Sequence, residues 1–325
     1  MKASRLVPAI LMLVAFWATL STPAYPWADE GHNAIWEVAQ TLLTPQARQK
    51  VDATLAGDKL DMTAVWLDRV RDIAKNEGPL VGDQEADDFN KAFPFNGTWH
   101  YVDLPLDTTS YAAAQGFTTR DDVVQQINLC IDVLEGKSSK LDARAALRVL
   151  VHLVGDIHQP MHCASGFFDV SDSKHPVLHT DPASCLPLKK EKLEDRGANQ
   201  LFFGPEKYDQ MHALWDFELV KRLAGLKNLA KLLKDVLPKV NTSTPGNHHT
   251  WAEQWAGESV ALAKAAYAGI EFGTCTLNTT GKGPKIERIE VKLPADYIDK
   301  QKVVAGMQMV KAAARTAALL NAIWK

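Results

Sequence analysis

Val151-His152-Leu153-Val154-Gly155-Asp156-Ile157-His158-Gln159-Pro160-Met161-His162 decides how the chain is read. Its apolar positions belong to a helical period running over 141–159. His152 and Asp156 lie four residues apart, so on that helix both project from one face, a turn from each other. Pro160 cannot extend the helix, so the chain bends there and brings His162 in from another direction. A second pair, His212 and Asp216, repeats the four-residue spacing. Imidazole nitrogen mixed with carboxylate oxygen, without thiolate, suits catalytic zinc better than a structural zinc knuckle. One such pair on a helix is more often a salt bridge or a cap, so the signal lies in both pairs together with His162.

Working outward, helical periodicity dominates. The pattern predicts helices over 31–43, 45–56, 61–75, 119–136, 141–159, 207–222, 227–236, 249–268 and 294–323. Thr44-Pro45 and Leu293-Pro294 are helix starts with proline in the first turn. Strand signal is confined to Thr98–Leu104 and to the alternating Lys285–Leu293. The segment 163–198 reads as a long irregular loop, of the kind often used for function. No repeat or linker divides the chain, so the expectation is one compact, mainly α domain over 27–325 with minor short β-strands.

Lys2 and Arg5 precede the apolar run Leu6–Leu20, and Ser21-Thr22-Pro23-Ala24 offers small residues for cleavage, the layout of a secretory signal peptide over 1–26. No later segment is expected to reach the length of a membrane span. Losing Lys2 and Arg5 takes the formal charge from −3 to −5, which gives no bulk electrostatic reason to coat nucleic acid. Four cysteines in an exported chain suggest up to two disulfides. Cys163 and Cys185 flank the polar 164–184 loop and form the favoured pair. Cys130 lies on the apolar stripe Val123, Ile127, Ile131, Leu134, where a buried thiol is as good a reading as a bridge to Cys275.

Further motifs surround this core. Asp68 and Arg71, three apart on a helix, read either as an exposed ion pair or as a metal-ligating carboxylate held by an arginine that also grips phosphate. His100 and Val102 fall on one side of the expected strand, with Tyr101 and Asp103 on the other. Trp27 and His32 open the mature chain. Trp-x4-His, Ala-x-Trp-x-Asp-x2-Arg, Trp-His-Tyr-x-Asp, His-x3-Asp-x-His-Gln-Pro-x-His and His-x3-Asp, in this order, resemble the trinuclear-zinc single-strand-specific nucleases, which include fungal nucleases and plant bifunctional nucleases.

That resemblance implies the helical fold of the zinc phospholipase C/nuclease type and three zinc ions. One ion would be held by Asp68, His100 and His152, with Asp156 bridging to a neighbour. The neighbour would be held by the α-amino nitrogen and carbonyl oxygen of Trp27, with His32 and Asp156. The third would use His162, His212 and Asp216. His158 matches no ligand and is expected in a supporting hydrogen bond or in the core. The implied chemistry is attack on phosphorus by zinc-activated water, with Arg71 stabilising phosphate charge and Asp68 and Asp156 in catalytic positions. The products would carry 5′-phosphates, and 3′-nucleotides would lose theirs.

Tyr101 and Asp103 match the family's base-binding positions, where an aromatic face and a carboxylate read an unstacked base, favouring single-stranded DNA and RNA. Asn199 falls in Gly197-Ala198-Asn199, where the family usually has Gly-Gly-Asn, and a Cβ at Ala198 resists positive φ. Nothing in the sequence demands more than a monomer, and the signal peptide places the expected protein in the secreted or periplasmic space. The competing reading is a zinc-dependent phospholipase C, which shares fold and metal core but usually ends its ligand set on glutamate where this chain has Asp216. Signal-peptide cleavage is most natural after Ala24, so Trp27 becomes the first residue only by cleavage after Pro26 or by trimming of Tyr25-Pro26.

Overall fold

The computed structural model describes residues 27–325 apart from 56, 226–227 and 281–282. The expected signal peptide and its cleavage site lie outside the described residues.

The Ala143–Asp156 helix is the centre of the molecule. It starts where the Asp142 side chain accepts a hydrogen bond from the Ala145 N–H, an N-cap, and every residue from Ala145 to Asp156 is buried. Such all-round burial makes it a core helix, and it packs against Pro45–Leu55, Trp66–Ile73, Val123–Leu134 and Tyr297–Ile323. Gln159-Pro160 ends it as expected. The Gln159 side chain accepts from the Met161 N–H, and a tight turn over Pro160–His162 follows. Ala28–Thr41 lies across the Tyr297–Ile323 helix, which closes the fold. Against expectation, Tyr297–Ile323 is long and apolar enough to cross a membrane by length and composition. Its apolar window is 61% buried inside the molecule, as befits a core helix.

Two predicted helices are broken, and both breaks serve the site. The 61–75 pattern divides into Leu60–Thr63 and Trp66–Ile73, leaving Ala64 and Val65 at a bend. The 207–222 pattern becomes Met211–Ala213, a π-helical turn over Leu214–Glu218, and Leu219–Ala224. Gln84–Ala92 and Pro182–Lys190 are helices that periodicity did not indicate. Each begins at an aspartate cap, Asp83 and Asp181, so capping rather than apolar period marks them.

The small sheets correct two expectations. Thr98–Leu104 is not a strand: Asn96–His100 forms a 3₁₀ turn, with pairing only at Leu104–Pro105, parallel to Ala164–Ser165. Asn96 starts that turn by donating from Nδ2 to the Phe93 carbonyl, a local bond that competes with strand pairing. The 163–198 segment is ordered rather than irregular. It holds Ala164–Ser165, an antiparallel pair of Phe167–Asp169 with Val177–His179, and the Pro182–Lys190 helix. Lys285–Lys292 is a strand as predicted, central between Leu201–Phe202 and Glu271–Asn278.

The favoured Cys163–Cys185 bridge is absent, and all four cysteines are buried free thiols. Cys163 points inward and donates to the Ile157 carbonyl, whereas Cys185 rides on the Pro182–Lys190 helix. Cys130 sits in the apolar core as one of its two readings had it.

Candidate metal centre and cleft

Asp156 is the hub. Its carboxylate lies 3.2 Å from His32 Nε2, 2.9 Å from His100 Nδ1 and 3.2 Å from His152 Nε2, all fully buried. Asp68 joins at 3.8 Å from both His100 Nδ1 and His152 Nε2, and Arg71 holds Asp68 at 3.0 Å. His162, His212 and Asp216 converge separately, at 3.9 Å and 3.2 Å from ring nitrogen to carboxylate. So the structure brings together every histidine and aspartate that sequence reasoning named for metal, in two adjoining groups.

The backbone aims these rings. His152 Nδ1 bonds to the Ala64 carbonyl at 2.8 Å, presented by the bend at Ala64–Val65. His162 Nδ1 bonds to the His100 carbonyl at 2.8 Å and His212 Nδ1 to the Gly197 carbonyl at 2.6 Å. Each bond fixes a tautomer and turns Nε2 toward the centre, the arrangement metal-ligating histidines need. Beyond those ion-pair contacts the centre is short of partners: His32 Nε2, both Asp68 oxygens, His100 Nε2, Asp156 Oδ1, His162 Nε2 and Asp216 Oδ2 are buried and make no hydrogen bond. Buried polar atoms in such numbers are costly unless a cation is their partner. The donor set is nitrogen and oxygen with positions left over, which fits zinc in an open site.

Electrostatics point the same way. Burial would raise the Asp156 carboxyl, but the surrounding histidines hold it well below the usual range. Burial likewise works against charge on Asp68, and Arg71, His152 and His100 outweigh it. His152 is driven up to about 9, because Asp156 and Asp68 outweigh its burial, whereas burial takes His100 down to about 4. Asp68 and Asp156 therefore stay charged at neutral pH, set against the Arg71 guanidinium and the surrounding imidazoles.

Trp27 is buried and in the left-handed region, at φ 51°, immediately before the Ala28–Thr41 helix. Its Nε1 donates to the Gly155 carbonyl at 2.9 Å, which ties the start of the described chain to the residue preceding Asp156.

One cleft of about 230 Å³ opens beside these groups, lined by Arg71, Tyr101, Asp103, Asn199, His162 and Asp216 among others. The profile of the S1/P1 nuclease family matches residues 27–325. The chain belongs to the S1/P1 nuclease family. It is 24% identical to Endonuclease 1 of Arabidopsis thaliana, over 92% of this chain and 87% of that one. It is 20% identical to Nuclease S1 of Aspergillus oryzae, over 98% of each. The protein is therefore a nuclease, a hydrolase of phosphodiester bonds acting on nucleic acid, and its buried histidine and aspartate groups are suited to the family's zinc. The phospholipase reading is not favoured.

The nuclease positions its cleft with residues that sequence reasoning missed. Ser165 donates to Asp103 at 2.5 Å and accepts from the Gly197 N–H at 2.7 Å, so it links the Asp103 carboxylate to the loop that orients His212. Asp195, fully buried, accepts from the N–H groups of Gly166 and Ala198 and from the Tyr267 hydroxyl, folding that loop. Burial lifts its carboxyl to about 7 against those bonds. Glu194 lines the cleft beside Asp103 and is also lifted to about 7, by burial and then by Asp103. The signal for all three was the polar run Glu194-Asp195-Arg196 ahead of a glycine, and the serine after Ala164.

Gly155 is a further requirement: a Cβ there would stand 2.7 Å from His32 Cε1 and Nδ1. Ala198 does adopt the left-handed conformation that glycine would take freely, at φ 63°, between Gly197 at φ 64° and Asn199. Asn199 donates from Nδ2 to the Arg196 carbonyl at 2.8 Å and lines the cleft. His158 stands outside the centre. Its Nδ1 bonds to the Val154 carbonyl, its Nε2 meets Arg315 Nη1 at 3.0 Å, and its ring packs by Trp255.

Proposed function

We propose that this nuclease is an exported, monomeric endonuclease holding three zinc ions. On this reading it cleaves single-stranded DNA and RNA to 5′-phosphorylated products and removes phosphate from 3′-nucleotides. The observation that carries it is one cleft in which residues suited to metal and residues suited to an unstacked base share the same walls.

The zinc assignments follow the two adjoining groups. Asp68, His100 and His152 would hold one ion, and Asp156 would bridge it to a second held with His32 and the backbone of Trp27. His162, His212 and Asp216 would hold the third. The orphaned atoms on these side chains support that division. The Trp27 assignment needs its amino group free, hence removal of residues 1–26, by cleavage after Pro26 or by trimming of Tyr25-Pro26. Intact mass of the secreted protein tests this, and a fully active enzyme retaining Tyr25 would overturn it. Zinc bound there supplies Lewis-acid polarisation of the phosphate and acidifies water at neutral pH.

The chain's own residues bind and orient. Arg71 spans from Asp68 to the cleft, where its guanidinium can grip a phosphate oxygen while the carboxylate fixes its direction. Tyr101, more than a third exposed, offers a ring face for a base. Asp103, with one oxygen anchored by Ser165, accepts from the base edge, and Asn199 completes the rim. A paired base shows neither its face nor its Watson–Crick edge, so this pocket selects unpaired strands. The test is hydrolysis of single-stranded RNA and DNA, duplex DNA, a 3′-mononucleotide and phosphatidylcholine, with a chelated control. Chelator-sensitive cleavage of single strands over duplex is expected. Equal rates on duplex, or cleavage of phosphatidylcholine alone, would overturn the pocket assignment.

A further inference from the structure

We propose that Glu135, His248 and His249 form an additional divalent-metal site, of the zinc class, outside the cleft. Glu135 follows the Val123–Leu134 helix, and the two histidines sit on the 3₁₀ turn His248–Thr250 that leads into Trp251–Tyr267. His248 Nε2 lies 2.8 Å from Glu135 Oε1 and His249 Nε2 lies 3.0 Å from Glu135 Oε2. All three ligand atoms fall within 4.8 Å of one another. Neighbouring residues on a tight turn point in different directions, so two adjacent rings converging on one carboxylate is a built arrangement and not a by-product of helical spacing.

Three features favour a metal over a plain hydrogen-bonded pair. The donor set, two imidazoles and one carboxylate, equals that of His162, His212 and Asp216. Asp132 Oδ1 stands 3.9 Å from the other nitrogen of His249, Nδ1, beyond a direct hydrogen bond but near enough for a small side-chain turn to give the carboxylate support that metal-ligating histidines commonly have. Glu135 and both rings are partly buried, with side chains 14%, 16% and 29% exposed, so water reaches the junction without filling it. Lys137 Nζ occupies the carboxylate at 2.6 Å, and being 59% exposed it can swing into solvent when a metal arrives. Two nitrogens and one oxygen leave a fourth position for water, and an ion there would clip the end of one core helix to the start of another.

The test is metal content by mass spectrometry of the intact nuclease, dialysed against buffered micromolar zinc. Glu135→Gln and the double variant His248→Ala/His249→Ala should each carry one ion fewer per chain than wild type, with nuclease activity retained. Asp132→Asn should keep the ion but weaken it by about 10- to 100-fold in a chelator competition. Cobalt loading supplies a second readout: the wild-type spectrum minus that of Glu135→Gln should show nitrogen–oxygen ligation. Equal zinc content in all proteins, or a featureless cobalt difference, overturns the site. Because the count is a difference between proteins, it is independent of how many ions the cleft holds.

Discussion

His152 and His158 lie six residues apart in one stretch, both fully buried, and they are opposite kinds of histidine. His152 stands over charged carboxylates and is driven up to about 9. His158 is pressed down to about 3, by burial and then by the Arg315 guanidinium. Around His158 the network is complete: Arg315 reaches Glu258 at 2.9 Å and 2.7 Å, and Gln308 donates to the His158 carbonyl. Around His152 it is unfinished, with several buried atoms lacking any hydrogen bond. Burial therefore does not separate a ligand from a core residue. What separates them is whether the polar atoms are answered by the protein itself.

The sharpest way to break this contrast is to delete each ring. His152→Ala should lower kcat/KM by on the order of 10³-fold and release zinc, the size of effect seen when a directed electrostatic group is lost from a hydrolytic site. His158→Ala should keep zinc content and activity per folded molecule while costing about 2–4 kcal/mol of stability, from a cavity and a half-answered Arg315. Metal analysis alongside urea unfolding decides it. Loss of zinc in His158→Ala would dissolve the distinction.

Gly155→Ala probes the same centre more gently. The new methyl would press on His32, whose ring is stacked on His152 at 4.1 Å between centroids. Zinc affinity should fall by about 10- to 100-fold, the usual consequence of disturbing a ligand's support. The chelated protein should lose about 1–3 kcal/mol, because the methyl overpacks a fully buried ring. Chelator competition and thermal unfolding of the chelated protein measure the two halves. Unaltered affinity would show that His32 is not a ligand.

Acid should expose the His158 network. Its folded value of about 3 lies below the ordinary 6.5, so the unfolded chain takes a proton that the fold refuses. That contribution is whole above pH 6.5 and drains away as pH falls toward 3, at about 1.4 kcal/mol per pH unit. Glu258, held down to about 2 against its burial by Arg315 and Lys311, loses its share between 4.5 and 2. Its side chain is over a third exposed, so screening leaves only a fraction of that. Arg315→Met should flatten this acid limb relative to wild type. Unfolding curves from pH 7 to 4 on both proteins, with ligand protonation common to the two, would reveal an unchanged slope if the network were not responsible.

The same comparison explains what could be read from the residues. His152, Asp156, His162, His212 and Asp216 were legible because His-x3-Asp spacing and a proline bend are chain-local facts, whereas His32, Asp68 and His100 were assigned only through the family resemblance. The central helix was legible because apolar period and the Asp142 cap agree. The break at Ala64–Val65 was not, because apolar period runs through it and the bend serves a partner 88 residues away, His152. Nor was the π turn around Asp216, whose extra residue leaves the apolar pattern intact. Ser165 and Asp195 escaped because they act on backbone N–H groups of distant loops, which no spacing rule encodes. The Cys163–Cys185 expectation failed for a related reason: flanking a loop says nothing about which way a thiol points.

The smallest effect tests the loop that aims His212. Arg196, Gly197 and Ala198 are successive left-handed residues, at φ 58°, 64° and 63°. Gly197 has no choice, since a Cβ would stand 2.3 Å from the Met161 carbonyl. Ala198 carries the conformation at a cost of about 1–2 kcal/mol for an L-residue. Its buried methyl returns roughly 0.8 kcal/mol. Ala198→Gly should therefore gain less than about 1 kcal/mol and leave kcat and KM unchanged, because the Gly197 carbonyl and the Ala198 N–H bond to Asp195 stay in place. Urea unfolding resolves a gain of that size. A loss instead would mean that the methyl's packing, and not the backbone's strain, governs this turn, and a change in zinc affinity at His212 would show that the glycine had let the loop drift.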